Sequence, residues 1–351
     1  MSESATRGLV VETVSLPELP DLFTLDALTP PLIWWRHGSG MVGLEMVECL
    51  SFAGASRISD ASAAWNDIVR VAHVTDHVNL TGTGLTAWGT FAFNADSAVT
   101  SRLVIPRITV GVRGGVAWLT RTRFLDEPEA ELTVDTAGEL LLSFTRRTPP
   151  KASPLVSFEP GQLSTEAYRS AVLTAVSRIE AGEIEKVVLA RDLVGTIPGG
   201  FSVAPSIVKL SESYPDCWTF SVDGLFGSSP ETLVSVHGHK VSARVLAGTT
   251  QRGSDSTRDL AQAAKLASST KDLDEHGFAT RSVVDALRPF TEQLTASEAP
   301  FTLKLPNLWH LATDISATLM PGASSLDLVA ALHPTAAVAG TPTAAAVEVI
   351  A

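Results

Sequence analysis

Two residues in the chain have the side chains and the settings that acid–base chemistry requires. Lys186 opens the apolar run KVVLAR, where desolvation would lower its pKa toward that of a working base. Glu231 follows Ser229-Pro230, and the proline restricts the backbone ahead of it, so the carboxylate has a defined strand entrance that suits a general acid. Composition alone favours solvent-facing head groups for both residues, at a strand end and at a sheet edge.

The run VLAGTTQRG, residues 245–253, has the composition of a ligand-binding turn. Gly248 lets backbone N–H groups approach a ligand closely, and Thr249 adds a hydroxyl donor. An ordinary turn after a strand explains the same residues equally well, so both interpretations stay open.

The run KDLDEH, residues 271–276, has five ionisable side chains in six positions. Asp272 and Glu275 are three residues apart and share one face of a predicted helix. Two such carboxylates suit a hard cation such as Mg²⁺, which combines few protein carboxylates with water and substrate oxygens. A solvated helix face is the alternative, and the run taken alone favours it. The same spacing predicts that Phe278 and Val283 lie nearer the core.

The first part of the chain, residues 1–150, is predicted to be rich in β structure. It includes a hairpin around Gly114-Gly115 and a strand over GELLLSFTRR. The glycine run TGTGLTAWGTFAF favours a hairpin or bulge over a nucleotide-binding loop, because no strand–loop–helix pattern and no terminal Lys-Ser/Thr accompany it. The segment RRTPPKASP, residues 146–154, has the composition of a linker.

The second part, residues 155–351, mixes helices and strands. A helix is predicted over 165–181, capped by Ser164 and closed by Gly182, and a strand follows over EKVVLARDL. The pattern then predicts three strands within residues 218–249, with a turn at His237-Gly238-His239, which favours a hairpin over a metal pair.

A long helical stretch over residues 255–289 is predicted to break near Ser268-Ser269. Because the elements of the chain are segregated and do not alternate β-α-β, the sequence predicts an α+β fold.

Composition limits the possible functions of the chain. Its 351 residues suit one large or two smaller domains, and 45% hydrophobic and 18% charged residues are typical of a globular protein. A net charge of -12 argues against nucleic acid and anionic membranes as partners. Two cysteines, Cys49 and Cys217, exclude a disulfide framework. Neither a signal peptide nor a membrane-spanning apolar run is evident, so we expect a cytoplasmic protein.

Taken together, in this order and spacing, the motifs resemble the chorismate-utilising enzymes. That family includes isochorismate synthase, salicylate synthase, anthranilate synthase component I and aminodeoxychorismate synthase component I. The matching pieces lie within roughly residues 160–350, and GTGLTAWGTFAF is also similar to the family's N-terminal region. They are KVVLAR (186–191), SPE (229–231), LAGT (246–249), KDLDEH (271–276), LWHLATDISATL (308–319) and LHPTAAVAGTP (332–342).

The resemblance implies a large mixed β-sheet or β-sandwich core with flanking helices. Residues 1–150 would form its β-rich N-terminal part, and residues 155–351 its chorismate-binding catalytic part. Lys186 matches the lysine of the water-adding synthases, and Ala247 stands where aminodeoxychorismate synthases carry a lysine nucleophile. Ala337 stands where salicylate synthases tend to have threonine. Isochorismate synthase is therefore favoured, with salicylate synthase and a non-catalytic relative as the alternatives.

The family's mechanism implies a role for each matched residue. Lys186 would take a proton from water as it adds to C2 of chorismate, and Glu231 would protonate the departing C4 hydroxyl. Gly248, Thr249 and His310 would contact the substrate, alongside Ala337. Glu275 would ligate Mg²⁺, with Asp272 close to the metal.

Further family motifs, among them a second metal-binding glutamate, find no match before Ala351. Glu298 and Glu348 do not stand in the expected motif. We therefore expect a C-terminally truncated member, missing its last strands and helix, with weak or no turnover. We also expect a monomer or weak homodimer, with chorismate as its small-molecule partner. Whether the pathway leads to menaquinone or to a siderophore stays open.

Overall fold

The computed structural model describes residues 7–25, 32–145, 156–198 and 202–351. These residues form two compact units. The first is drawn from Met1–Ser153 and Gly200–Pro230, and the second from Pro154–Gly199 and Glu231–Ala351. Sheets and helices occur in both units, which confirms the predicted α+β class. The predicted linker at 146–154 lies outside the described residues.

The strands and helices are numbered separately, each in chain order. The strands are β1 (Leu9–Leu16), β2 (Leu32–Arg36), β3 (Ser39–Leu44), β4 (Glu48–Phe52), β5 (His73–Asp76), β6 (Trp88–Thr90), β7 (Ser101–Ile105), β8 (Ile108–Arg113), β9 (Val116–Phe124), β10 (Phe158–Pro160), β11 (Lys186–Val187), β12 (Leu193–Gly195), β13 (Trp218–Val222), β14 (Leu225–Ser229), β15 (Thr232–His237), β16 (Lys240–Gln251), β17 (Thr291–Ala296), β18 (Phe301–Lys304), β19 (Leu308–Leu319) and β20 (Gly340–Thr341). The helices are α1 (Arg57–Val71), α2 (Val134–Phe144), α3 (Thr165–Glu180), α4 (Ala204–Ser213), α5 (Ser256–Ser268), α6 (Thr270–Leu287), α7 (Ser325–Leu332) and α8 (Thr343–Ile350), with short 3-10 turns at Leu22–Thr24 and Arg288–Phe290.

The first unit is built on an eight-stranded sheet in the order β14-β13-β2-β3-β8-β9-β1-β5, accompanied by a three-stranded sheet β4-β7-β6. The predicted hairpin is confirmed, because Arg113 pairs with Val116 across Gly114-Gly115. Alternating residues of these strands, among them Val110 and Leu119, form its core.

Two predictions for this unit differ from the structure. The predicted strand over GELLLSFTRR is wrong, because residues 134–144 form α2. Thr133 and Thr136 cap each other's backbone at its start, a local signal that outweighs the β-like apolar run. In the glycine run, Gly82 and Gly84 adopt positive φ in a turn that leads into β6, which pairs with β7, and no helix follows.

The sequence analysis divided the chain into two contiguous parts, 1–150 and 155–351. In the structure, Gly200–Pro230 belongs to the first unit. The reason is long-range pairing, because Thr219 and Phe220 of β13 pair with Trp35 and Trp34 of β2. Three strands were predicted within residues 218–249, but the structure has four there, β13 to β16. Of these, β13 and β14 belong to the eight-stranded sheet.

The second unit contains the sheet β15-β16-β19-β17, with β18 on β19, and α6 packs on it. The predicted break between α5 and α6 is confirmed at Ser269, whose side chain accepts the Asp272 N–H. The cap at Ser164 and the close at Gly182 are confirmed for α3. The turn at Gly238-His239 joins β15 to β16, as predicted.

Within the described ranges of the chain, no helix is both long and apolar enough to cross a membrane.

Candidate active site

Lys186 lies on a strand of two residues, β11, although a longer strand was predicted over EKVVLARDL. Lys186 pairs with Thr341 and Val187 with Gly340 of β20. The two backbones are so close that a Cβ on Gly340 would lie 2.1 Å from the Lys186 carbonyl oxygen. Glycine at this position therefore permits the pairing that holds Lys186.

The Lys186 side chain forms an ion pair with Glu275 of α6, with 2.9 Å between Nζ and Oε1. Their side chains are 25% and 36% exposed. The predicted base and the predicted metal ligand therefore meet. The purely apolar surroundings suggested by KVVLAR are replaced by contact with a carboxylate.

Glu231 lies directly before β15 and faces a small recess. Burial raises the pKa of its carboxyl group. The recess is walled by the strands, by α6 and by the segment before β20, through Leu233, Ala243, Arg244, Val245, Ala279, Val283, Thr335 and Ala337. The guanidinium of Arg244 is held by both carboxylate oxygens of Asp314, at 2.6 and 2.9 Å. A mainly aliphatic recess favours the protonated acid, the form that a proton donor needs. Ala337, which was predicted to contact the substrate, lines the same recess as Glu231.

Gly248 forms a β-bulge inside β16, so the turn predicted for VLAGTTQRG is wrong, and its ligand contacts stay a prediction. The register between β16 and β19 shifts between Leu246 and Thr249. Gly248 has φ +82, and a Cβ there would lie 3.2 Å from Leu311 Cδ1 and 3.4 Å from Asp272 Cβ. The bulge therefore lies against the start of α6, and it redirects the strand at the residues predicted to contact substrate.

Thr249 and His310 are opposite each other on β16 and β19 and are hydrogen-bonded, with 2.8 Å between Oγ1 and Nδ1. Burial lowers the pKa of His310, and a hydrogen bond to the Gly248 backbone partly offsets this. The neutral ring can therefore exchange hydrogen bonds with a polar ligand without adding charge. The structure thus groups Gly248, Thr249 and His310 at one site.

Helix α6 presents three kinds of surface. His276, Ala279, Val283 and Leu287 form its buried face. Phe278 was predicted to lie toward the core, but it is 45% exposed, because the buried stripe runs through His276 and Ala279. Asp272 and Glu275 are half-buried beside that stripe, so they are neither a fully solvated face nor a closed site.

His276 is a site residue to which the sequence reasoning gave no role. It is 2% exposed, with Nδ1 3.0 Å from the Ala247 carbonyl oxygen and Nε2 2.7 Å from Thr313 Oγ1. Burial lowers its pKa. Its spacing from Ala279 and Val283 was the available signal, since residues three and seven apart share a helix face.

A second buried network holds the far end of β16. Both carboxylate oxygens of Asp259 accept hydrogen bonds from Arg252 at 2.6 Å, and Trp309 Nε1 donates to the same carboxylate at 2.9 Å. The Arg252 hydrogen bonds hold the pKa of Asp259 well below its usual range. This network fixes α5 against β16 and β19 beyond the bulge.

The donor chemistry at α6 fits a hard cation. Asp272 and Glu275 are half-buried oxygen donors on one turn. In the part of the chain that the structure describes, no group of three or more His, Cys, Asp or Glu side chains could hold a metal. Two carboxylates completed by water and substrate oxygens match the way Mg²⁺ binds.

Comparison with known proteins gives matches along nearly the whole chain. A family model described as chorismate binding enzyme matches residues 8–351. Isochorismate synthase DhbC of Bacillus subtilis is 39% identical over 197 residues, which are 53% of this chain and 50% of that protein. Isochorismate synthase EntC of Escherichia coli K12 is 34% identical over 188 residues, 52% of this chain and 47% of that protein. The chain spans about half the length of these curated relatives.

Among solved structures, the menaquinone-specific isochorismate synthase MenF from Escherichia coli has a TM-score of 0.74 at 23% identity. The match covers 98% of this chain and 78% of that one, and a likeness at this identity shows the fold alone. It supports the fold class expected from the sequence.

Proposed function

The chain belongs to the family of chorismate-binding enzymes, and from that membership we propose that it converts chorismate to isochorismate. One observation carries the proposal. A lysine, Lys186, contacts a carboxylate of α6, while a carboxyl group with a raised pKa, Glu231, lies in a recess beside Ala337. The chemistry needs these two groups, a base for water and an acid for the leaving hydroxyl.

The proposed reaction is an isomerisation that consumes one water and releases one. The oxygen of the entering water bonds to C2 of the ring and loses a proton to Lys186. The two ring double bonds shift, the bond between C4 and its hydroxyl oxygen breaks, and Glu231 supplies the proton with which that oxygen leaves as water. Burial of Glu231 favours the protonated form that a proton donor needs.

The remaining residues would bind the substrate. Chorismate carries two carboxylates, and a chain of net charge -12 needs local donors to hold them. Thr249, His310 and the backbone at Gly248 can supply hydrogen bonds. Glu275, with Asp272 beside it, would hold Mg²⁺, which when bound supplies positive charge against a substrate carboxylate.

Two alanines support water addition over the related reactions. Ala247, which stands where amine-adding relatives have a lysine nucleophile, is 8% exposed and packs in the core beneath α6. Ala337 lines the recess of Glu231 and has no hydroxyl that could take part in pyruvate elimination. We propose that the product serves menaquinone or siderophore biosynthesis in the cytoplasm.

Chromatography of the products from chorismate and Mg²⁺ tests the proposal. The expected product is isochorismate, and long incubation is appropriate because weak turnover is predicted from the sequence. Lys186→Gln should abolish its formation, while Lys265→Gln, at an exposed position of α5, should not change it. Formation of salicylate with pyruvate, or of an amine product, would overturn the proposal. So would a chain that neither forms isochorismate nor binds chorismate.

A further inference from the structure

The bulge of β16 leaves two residues outside the strand ladder. Leu246 pairs with Ala312 and Thr249 with His310, and the register assigns no partner to Ala247 and Gly248 between them. Ala247 is buried. A buried carbonyl without a donor carries the full cost of its desolvation, so the bulge needs a donor from another element.

His276 is that donor. Its Nδ1 lies 3.0 Å from the Ala247 carbonyl oxygen, which can only accept, so the ring proton is on Nδ1. Nε2 is then an acceptor, and the Thr313 hydroxyl donates to it at 2.7 Å. The two contacts fix one neutral tautomer and one ring orientation, and they tie α6 to both β16 and β19.

We propose that His276 is a positioning residue that holds the substrate-contacting bulge against the carboxylate-bearing face of α6. Asp272 lies one turn earlier on that helix, and its Cβ faces Gly248. Glu275 is the residue before His276. One side chain therefore sets the spacing between the carboxylates and the Thr249–His310 pair.

The importance of this spacing for chemistry rests on the proposed function. In an enzyme that must hold a substrate between a helix and a bulge, a misplacement of about 1 Å can cost about 100-fold in rate. A histidine that only filled the core would affect stability without affecting the bulge selectively.

Two amide variants separate the contacts of His276. In His276→Asn, the side-chain NH₂ stands where Nδ1 does and can still donate to Ala247. In His276→Gln, the side-chain NH₂ stands near the position of Nε2, where it can donate to the Thr313 hydroxyl oxygen but not to the Ala247 carbonyl oxygen. His276→Leu keeps the apolar volume and removes both contacts. Asparagine should therefore rescue the bulge, whereas glutamine and leucine should not.

Hydrogen exchange measures the bulge without requiring activity. At the amides of residues 248–250, exchange should rise about tenfold or more in the Gln and Leu variants and stay within about threefold of the original chain in the Asn variant. The turn at Gly238-His239, at the opposite end of β16, serves as the internal reference, and its exchange should not change. Equal exchange in the Asn and Gln variants, or a melting temperature that falls without any change at the bulge, would overturn the proposal.

Turnover gives a second measurement. The kcat/KM for chorismate should fall about 10- to 100-fold in the Gln and Leu variants, with recovery to within a few-fold in the Asn variant. Absence of isochorismate from the unsubstituted chain would count against the proposed function alone, and the exchange result would then decide the role of His276. Unaltered kcat/KM in the Gln variant of an active chain would contradict the positioning role.

Discussion

Lys186 and Glu231, the two residues proposed to move protons, lie in contrasting surroundings. Lys186 is half-buried and contacts the Glu275 carboxylate, whereas Glu231 faces a recess walled mainly by aliphatic side chains. Burial raises the pKa of the Glu231 carboxyl group. The side chains that bury Glu231 come from β15, β16 and α6, so the folded arrangement of these elements raises its pKa.

The raised pKa of Glu231 predicts how stability depends on pH. A group that is easier to protonate in the folded state stabilises it below the unfolded pKa, and this contribution disappears as pH rises through the folded pKa. Glu231→Gln should therefore melt at a higher temperature than the original chain at about pH 8, by a few degrees for each ~1 kcal/mol relieved. The difference should shrink toward about pH 4, where both side chains are neutral.

Thermal melts across that pH range check this prediction, with Glu298→Gln, at an exposed site in a loop, as the control. Loss of isochorismate formation should accompany the gain in stability, because the acid is removed. A Glu231→Gln variant less stable at about pH 8 than at about pH 4, relative to the original chain, would show that burial is not what sets this group's charge.

Sequence reasoning could identify the residues that carry charge or an unusual backbone, because their types are rare in apolar runs. Lys186 stands out in an apolar run and Glu231 at a strand entrance. Glu275 lies in a charged run, and its predicted role rests on the order of the motifs. The structure brings Lys186 to Glu275. Their catalytic and metal-binding roles stay predictions. His276 received no role, because the need for it arises from a carbonyl on a strand far away in the sequence.

At the scale of elements, the site depends on a bulge in β16 and on its contact with α6. Gly248 combines a positive φ with close neighbours, whereas Gly238, in the turn of the same hairpin, has φ +58 and nothing within 4 Å of an added Cβ. Alanine substitutions at these two glycines therefore separate the free-energy cost of a positive φ from the cost of steric crowding by the added Cβ.

Gly238→Ala should destabilise the fold by about 1–2 kcal/mol, the cost of a left-handed conformation for a residue with a Cβ. Gly248→Ala should cost about 1–3 kcal/mol more, because its Cβ meets Leu311 and Asp272. It should also weaken chorismate binding, since the bulge must shift. Denaturant unfolding and chorismate titration measure the two effects. Equal destabilisation by both substitutions would mean that the bulge tolerates a side chain.

Elements defined by local signals were predictable, and elements defined by distant partners were not. The start of α3 and the break before α6 each depend on an adjacent serine that caps the helix, Ser164 for α3 and Ser269 for α6. The strand at Lys186 contains two residues because its partner, β20, is equally short and lies about 150 residues later in the chain. The helix α2 was missed because its apolar run resembles a strand unless the capping threonines are weighed first.

At the scale of the molecule, an acidic chain is proposed to bind an acidic substrate. Because the net charge is -12, we expect no long-range attraction of chorismate to the chain, and the proposed binding would depend on local donors and on a cation. Mg²⁺ and chorismate should therefore stabilise the folded chain more together than the sum of their separate effects.

Thermal melting with each ligand alone and with both tests this expectation. A ligand at about 100 times its Kd adds about 2.7 kcal/mol, enough to raise the melting temperature by several degrees. Glu275→Ala should remove the added effect of Mg²⁺, and Glu292→Ala, at an exposed position of β17, should preserve it. Strict additivity of the two ligands in the unsubstituted chain would contradict a shared site.

The α+β class was predictable at this scale because helical and alternating patterns are segregated along the chain. The membership of residues 200–230 was not predictable, since the pairing of β13 with β2 joins segments almost 200 residues apart. No pattern within residues 200–230 indicates that this segment pairs with the first unit.

The most direct test of the central claim, that Lys186 and Glu231 direct water to C2 as the C4 hydroxyl leaves, is the reaction in ¹⁸O-labelled water. Mass spectrometry of the isochorismate should find one ¹⁸O per molecule, located at the C2 hydroxyl, and Lys186→Gln should yield no labelled product. Isochorismate that retains the original oxygen, or that acquires the label equally well without Lys186, would contradict the account.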